Sequence, residues 1–169
     1  YAIIAPDIPA NMIAAAGILK ARGTPFLTDP GQGLTDFTAI DCQRLTELSN
    51  HIIMNQFEYD TLRKHADINT AKKLVITAGS EGARWVGGDS QGSVSAVIPS
   101  QLVDPTGCGD AFRAGYVHAH LAGANDRDAI RCGAVVASIN IESLGTQEHN
   151  LDNLVERYTD AWKERPNWL

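Results

Sequence analysis

Short apolar runs alternate with longer segments of helical period along this chain, and each change of period falls at a cluster of Gly, Pro, Asn, Asp or Ser. Ala2–Ala5 reads as a strand, and Ile8–Arg22 as an amphipathic helix that stops at Gly23. Pro25–Asp29 is a second strand, followed by the turn-rich Pro30–Gly33. Asp41–Ser49 predicts a helix, His51–Asn55 a strand, Phe57–His65 a helix and Lys73–Ala78 a fourth strand. Arg84–Gly87 and Gly92–Ile98 read as a hairpin across Gly88, Asp89, Ser90 and Gln91. Three helices close the chain: Asp110–Ala122, Asp126–Ser143 and Leu151–Lys163. Strands that alternate with helices predict an α/β fold around a parallel sheet. In such sheets ligands bind beyond the carboxyl ends of the strands.

Composition narrows the function classes. At 169 residues, 44% hydrophobic and 20% charged, the chain has the length of one domain with its own core. A net charge of −6, with no basic run longer than Lys72-Lys73, argues against nucleic-acid or acidic-membrane partners. No window approaches a membrane span and the start is not signal-like. Three cysteines (Cys42, Cys108 and Cys132) lack metal-like spacing, and point to a reducing, cytoplasmic setting rather than a disulfide framework. The chain begins at Tyr1, inside what reads as a buried strand, which predicts a fragment.

The most informative stretch runs from Asp104 to Gly115: Asp-Pro-Thr-Gly-Cys-Gly-Asp-Ala-Phe-Arg-Ala-Gly. Gly107, Cys108 and Gly109 stand directly before Asp110 and a helical run. Unpaired N–H groups at a helix N-terminus attract anions, and glycine lets a phosphate approach the backbone. An acid in such a nest repels phosphate but is well placed to take a proton from a hydroxyl attacking it. The same residues also fit a glycine-rich turn with Asp110 as an ordinary N-cap. Two further motifs fall at strand ends. Asn55-Gln56-Phe57-Glu58 can hold a hydrated Mg²⁺ or form a capping box. Thr77-Ala78-Gly79-Ser80-Glu81-Gly82 can meet nucleotide phosphates or ribose, or simply turn between strands.

Taken together and in this order, the three motifs resemble the ribokinase (PfkB) family of carbohydrate and nucleoside kinases. Its signature is usually Asp-Thr-x-Gly-Ala-Gly-Asp, so Pro105 and Cys108 depart from it where Thr and Ala are usual. The similarity spans nearly the whole chain. Asp29-Pro30-Gly31-Gln32 and Asp110-Ala111-Phe112-Arg113 lean toward adenosine-kinase-like and nucleoside-kinase members. The resemblance implies a ribokinase-like three-layer α/β/α (Rossmann-like) fold with a mostly parallel central sheet, here without the N-terminal strands and β lid. Residues 1–169 would be the C-terminal nucleotide-binding and catalytic part of the kinase domain.

By that similarity Asp110 deprotonates a sugar or nucleoside hydroxyl while the amides of Gly107, Cys108 and Gly109 hold the γ-phosphoryl group of ATP. Asn55 and Glu58 order Mg²⁺, partly through water. Thr77, Gly79 and Gly82 contact ATP, with Val103 and Ala134 as walls for the adenine. Asp104, the Thr106 carbonyl and the backbone near Asn140, Ser143 and Gly145 match a monovalent-cation site, for K⁺, present in some members. Asp104 alone also fits a turn cap before Pro105. Without lid and acceptor pocket the chain is expected to be a poor kinase that binds ATP weakly, and to self-associate or depend on the missing half. A catalytically silent nucleotide-binding or assembly domain is the alternative. A Rossmann dehydrogenase is disfavoured, because no Gly-x-Gly-x-x-Gly follows the first strand. Glu142 reads as a solvated charge near the nucleotide pocket, and the tryptophans as core or cover.

Overall fold

The computed structural model describes residues 1–87 and 90–168. The polypeptide resolves into two compact units, Tyr1–Ala78 with Arg84–Gly92 and Gly79–Ala83 with Ser93–Leu169. Among the described residues no helix is long and apolar enough to cross a membrane.

The first unit is built on β1 (Ala2–Ile4), β2 (Phe26–Thr28), β3 (His51–Asn55) and β4 (Leu74–Thr77), which pair in chain order and all parallel. Helices α1 (Pro9–Ala21), α2 (Ala39–Leu48) and α3 (Gln56–His65) make the three crossovers. β5 (Ala83–Gly87) and β6 (Ser90–Val94) extend the sheet to six strands in the order β1 to β6. Parallel strands covered on both sides need apolar residues at successive positions, not at every second one. Phe26 and Leu27, Ile52 to Met54, and Leu74 to Ile76 supply them, and all are buried. One face packs Ile4, Phe26, Ile52, Met54, Leu74 and Ile76 with Met12 and Ala16 of α1, Cys42 and Leu45 of α2, and Leu62 of α3. Thr38 caps α2 through a reciprocal box with Asp41, so this helix begins before Asp41.

Two expectations shift here. β1 is an edge strand whose Ile3 is half exposed, rather than a buried strand. β6 starts at Ser90 and ends at Val94 instead of running to Ile98, since Pro99 cannot donate to a ladder and Ile98 stands in solvent. The turn expected across Gly88 and Asp89 lies outside the described residues.

The second unit centres on α4 (Cys108–Leu121), α5 (Asp126–Asn140) and α6 (Leu154–Trp162). Two glycines let α4 and α5 touch backbone to backbone. A Cβ on Gly115 would stand 2.9 Å from the Cys132 carbonyl oxygen, and one on Gly133 2.8 Å from that of Phe112. Val135, Ile139 and Tyr158 form the core with Val97, Leu154, Trp162 and Trp168 against them. Inside it Arg131 lies over Trp162, 5.2 Å from the ring centre, and pairs with Asp128 and Glu164 at 3.2 and 2.8 Å.

Candidate active site

In the second unit Gly107 caps α4 with φ of 80°, a left-handed conformation that glycine adopts without steric cost. The turn starts the helix at Cys108, two residues earlier than expected, and makes Asp110 its third residue. The first amides of a helix have no carbonyl within it to meet. Among the described residues no hydrogen bond uses the N–H of Gly107, Gly109 or Asp110. Cys108 is the exception. Its N–H donates to the Pro105 carbonyl at 3.2 Å, so the expected donor set changes from Gly107, Cys108 and Gly109 to Gly107, Gly109 and Asp110. The Asp110 carboxyl lies at this mouth with its side chain 82% exposed, 2.8 Å from Nη2 of Arg113 one turn on.

The loop feeding the cradle is pinned on three sides. Asp104 Oδ1 accepts the Thr106 N–H at 2.9 Å and Oδ2 the Gly145 N–H at 3.0 Å. These bonds, the one from Thr106 first, hold the Asp104 carboxyl below the usual carboxylate range. The fully buried Asn140 donates through Nδ2 to the Thr106 carbonyl at 2.9 Å and approaches Cys108 Sγ at 3.5 Å. Both Val103 and Asp104 donate N–H groups to the Ile141 carbonyl, at 2.9 and 3.1 Å. Thr146 packs on Gly107 so closely that a Cβ there would stand 2.9 Å from it.

As a monovalent-cation nest this region is all oxygen, which suits a hard ion, but Asp104 and the Thr106 carbonyl already accept hydrogen bonds. The buried Oδ1 of Asn140 has no hydrogen-bond partner among the described residues and could turn to such an ion. Ser143 is drawn back to the Asn140 carbonyl at 3.1 Å. Val103, half exposed, and Ala134 on α5, partly buried, offer small apolar surface in the same unit. Glu142 is not the solvated charge expected. It grips Arg157 with both oxygens, at 2.7 and 2.5 Å, and accepts the Ser100 N–H. Gly79 has open space where a Cβ would go, whereas Gly82 is glycine because a Cβ would stand 2.1 Å from the Val94 carbonyl oxygen.

The first unit carries Asn55 and Thr77 side by side, as register partners at the ends of β3 and β4. Asn55 and Glu58 form the capping box in full. Glu58 accepts from the Asn55 N–H and Nδ2 at 2.8 and 2.9 Å, and Asn55 Oδ1 accepts the Glu58 N–H at 2.9 Å. With Glu58 buried and both its oxygens engaged, the pair fits a hydrated Mg²⁺ held through water better than direct ligation.

Arg113 was missed by the sequence reading, although its spacing of three from Asp110 on a helix was a usable signal. Nothing local could pair Asn140 with Thr106, which lie 34 residues apart.

The profile of pfkB family carbohydrate kinases matches residues 3–153. A nucleoside kinase of Methanothermobacter thermautotrophicus is 33% identical over 156 residues, which cover 87% of this chain and 50% of that protein. The Burkholderia thailandensis nucleoside kinase, solved in complex with ADP-inosine, superposes with a TM-score of 0.91 at 30% identity, over 97% of this chain and 54% of that one. The Methanocaldococcus jannaschii nucleoside kinase, an archaeal member of the ribokinase family, gives 0.87 at 26% identity, over 94% of this chain and 55% of that one. The chain spans about half the length of the curated relatives it matches.

Proposed function

The chain belongs to the pfkB family of carbohydrate kinases and has the ribokinase-like fold, and on that footing we propose that it carries the nucleotide-binding and catalytic part of an ATP-dependent phosphotransferase. The acceptor is a hydroxyl of a nucleoside or, failing that, of a sugar. Nucleosides come first because the relatives matched at 26% identity or more over most of this chain include several named nucleoside kinases. The setting is the cytoplasm, where ATP is available and Cys42, Cys108 and Cys132 stay reduced.

One observation carries the reading: an exposed carboxylate, Asp110, stands at a helix mouth beside main-chain N–H groups that have no hydrogen-bond partner among the described residues. Asp110 takes the proton of the acceptor hydroxyl. The acceptor oxygen bonds to the γ-phosphorus as the bond from that phosphorus to the bridging oxygen breaks, and ADP leaves with the electron pair. The amides of Gly107, Gly109 and Asp110 stabilise negative charge on the phosphoryl oxygens where it grows. Asn55 with Glu58 would hold, through water, a Mg²⁺ ion that would neutralise phosphate charge. For a nucleotide the first unit offers Thr77, and the second offers Gly79, with its open approach, and Val103 and Ala134 as apolar surface for the base. Asp104 and Asn140 keep the cradle loop in place and can admit K⁺ beside it.

A nucleotide-binding or assembly domain without turnover is the second reading. Asp110→Asn separates the two. With Mg·ATP and inosine, the nucleoside seen in the B. thailandensis complex, the whole protein of wild-type sequence should form inosine monophosphate and ADP. The variant should lose about 10²- to 10⁴-fold in rate while still binding ATP. Turnover retained in Asp110→Asn rejects the base assignment, and none in wild type favours the silent domain.

A further inference from the structure

Arg84, in the first unit, is a cation that no carboxylate pairs with among the described residues. Its strand neighbours Ala83 and Trp85 are buried, so Arg84 points to the opposite face of β5. There its guanidinium lies over Tyr59 of α3, 4.6 Å from the ring centre, and Nη2 donates to Gln56 Oε1 at 3.2 Å. The acids near it on α3 are engaged elsewhere. Asp60 pairs with Arg63 at 3.0 Å and accepts from Gln56 Nε2 at 3.0 Å, and the buried Glu58 is held by Asn55. A ring face and one N–H thus fix the side chain, while Nε and Nη1 meet no acceptor among the described residues.

The place matters as much as the pose. Gln56 opens α3 directly after Asn55, at the carboxyl ends of β3 and β4, where Thr77 stands in register with Asn55. Open α/β sheets take their ligands beyond those ends. A planar guanidinium matches phosphate oxygens with two parallel bonds, and one already held in place loses less freedom on binding. We propose that Arg84 is a phosphate-binding residue of this site, contacting phosphoryl oxygens common to ATP and ADP while Tyr59 and Gln56 hold it. The inference rests on the phosphotransferase reading above, which sets amides and Mg²⁺ against the nucleotide's charge but no cationic side chain. No bond to Arg84 forms or breaks in the transfer. The rival explanation is a surface contact between cation and ring with no role in binding.

A second arginine beside the same ring separates the two. Arg63 lies 5.9 Å from the centre of Tyr59 but is paired with Asp60, with its side chain 56% exposed. Dissociation constants of Mg·ATP and Mg·ADP are measured by NMR titration on the full chain, for wild type, Arg84→Met, Arg84→Lys and Arg63→Met. Loss of a charge-assisted bond should weaken both nucleotides by about tenfold or more in Arg84→Met. Arg63→Met removes the same net charge and should stay within about twofold of wild type. Arg84→Lys, which keeps a point charge without the fork, should still bind both more weakly than wild type. If Arg84→Met fails to fold by circular dichroism, the comparison of Arg84→Lys with Arg63→Met decides. Equal weakening by Arg84→Met and Arg63→Met reports bulk charge alone. That result, or no weakening in Arg84→Met, overturns the role of Arg84 while the phosphotransferase reading stands. A wild-type chain that binds neither nucleotide removes that reading and this inference together.

Discussion

Replacing Gly107 by alanine strikes the turn that opens the cradle, and its cost can be worked from two independent sources. The residue sits at φ of 80°, where a side chain costs about 1–2 kcal/mol. The added methyl would also stand 2.9 Å from both Cβ and Cγ2 of Thr146, well inside the roughly 3.5–4.0 Å at which carbon atoms attract. Relieving that overlap costs about 1–2 kcal/mol more. The sum, about 2–4 kcal/mol, should lower Tm by roughly 5–12 °C in a chain of this size. Thermal unfolding followed by circular dichroism reads this directly. The two sources separate in a double-mutant cycle, because in a Thr146→Gly background Gly107→Ala should show the conformational part, with only the 3.2 Å approach to the residue-146 Cα left. A Gly107→Ala variant melting within about 1 °C of wild type would refute the left-handed cap and with it the reasoning on the cradle.

Two further outcomes follow from side chains beside the site. The Glu142 carboxyl is held below its usual 4.5, chiefly by Arg157, in a pair whose side chains are 13% and 19% exposed. A carboxylate depressed in the folded state stabilises it fully above pH 4.5, and that stability is lost as pH falls through the lower folded value. Glu142→Gln should therefore cost about 2–4 kcal/mol at neutral pH and flatten the acid limb of the stability curve; an unchanged limb contradicts the pairing. Burial pushes the Cys132 thiol up to about 12 and raises that of Cys42, while Cys108 is partly exposed. Iodoacetamide followed by mass spectrometry should label Cys108 first, and Cys132 reacting at a comparable rate would contradict its burial.

What the chain's pattern discloses and what it hides have separate physical causes. Strands such as Ile52 to Met54 and Leu74 to Ile76 announce themselves because parallel strands buried on both faces need unbroken apolar runs. The Gly107 to Asp110 nest is legible for a different reason: its chemistry lies in backbone amides, so the sequence need only clear side chains away. Helix starts were harder, since Thr38 and Gly107 set them by cap geometry before the periodic residues begin. The clamps were out of reach. Asn140 to Thr106 and Glu142 to Ser100 join residues 34 and 42 apart, and no local pattern encodes a contact made only after α4 and α5 pack. Asn55 with Glu58 lay between, because a capping box and a water-mediated metal site call for the same two residues at the same spacing.

The amides of the cradle can be watched one by one as nucleotide is added. In ¹H–¹⁵N spectra titrated with Mg·ATP, the N–H signals of Gly107, Gly109 and Asp110 should move most among residues 93–168, and that of Cys108, tied to Pro105, should move less. Saturating nucleotide that leaves residues 107–110 unmoved would contradict the claim that this helix mouth grips the phosphoryl group.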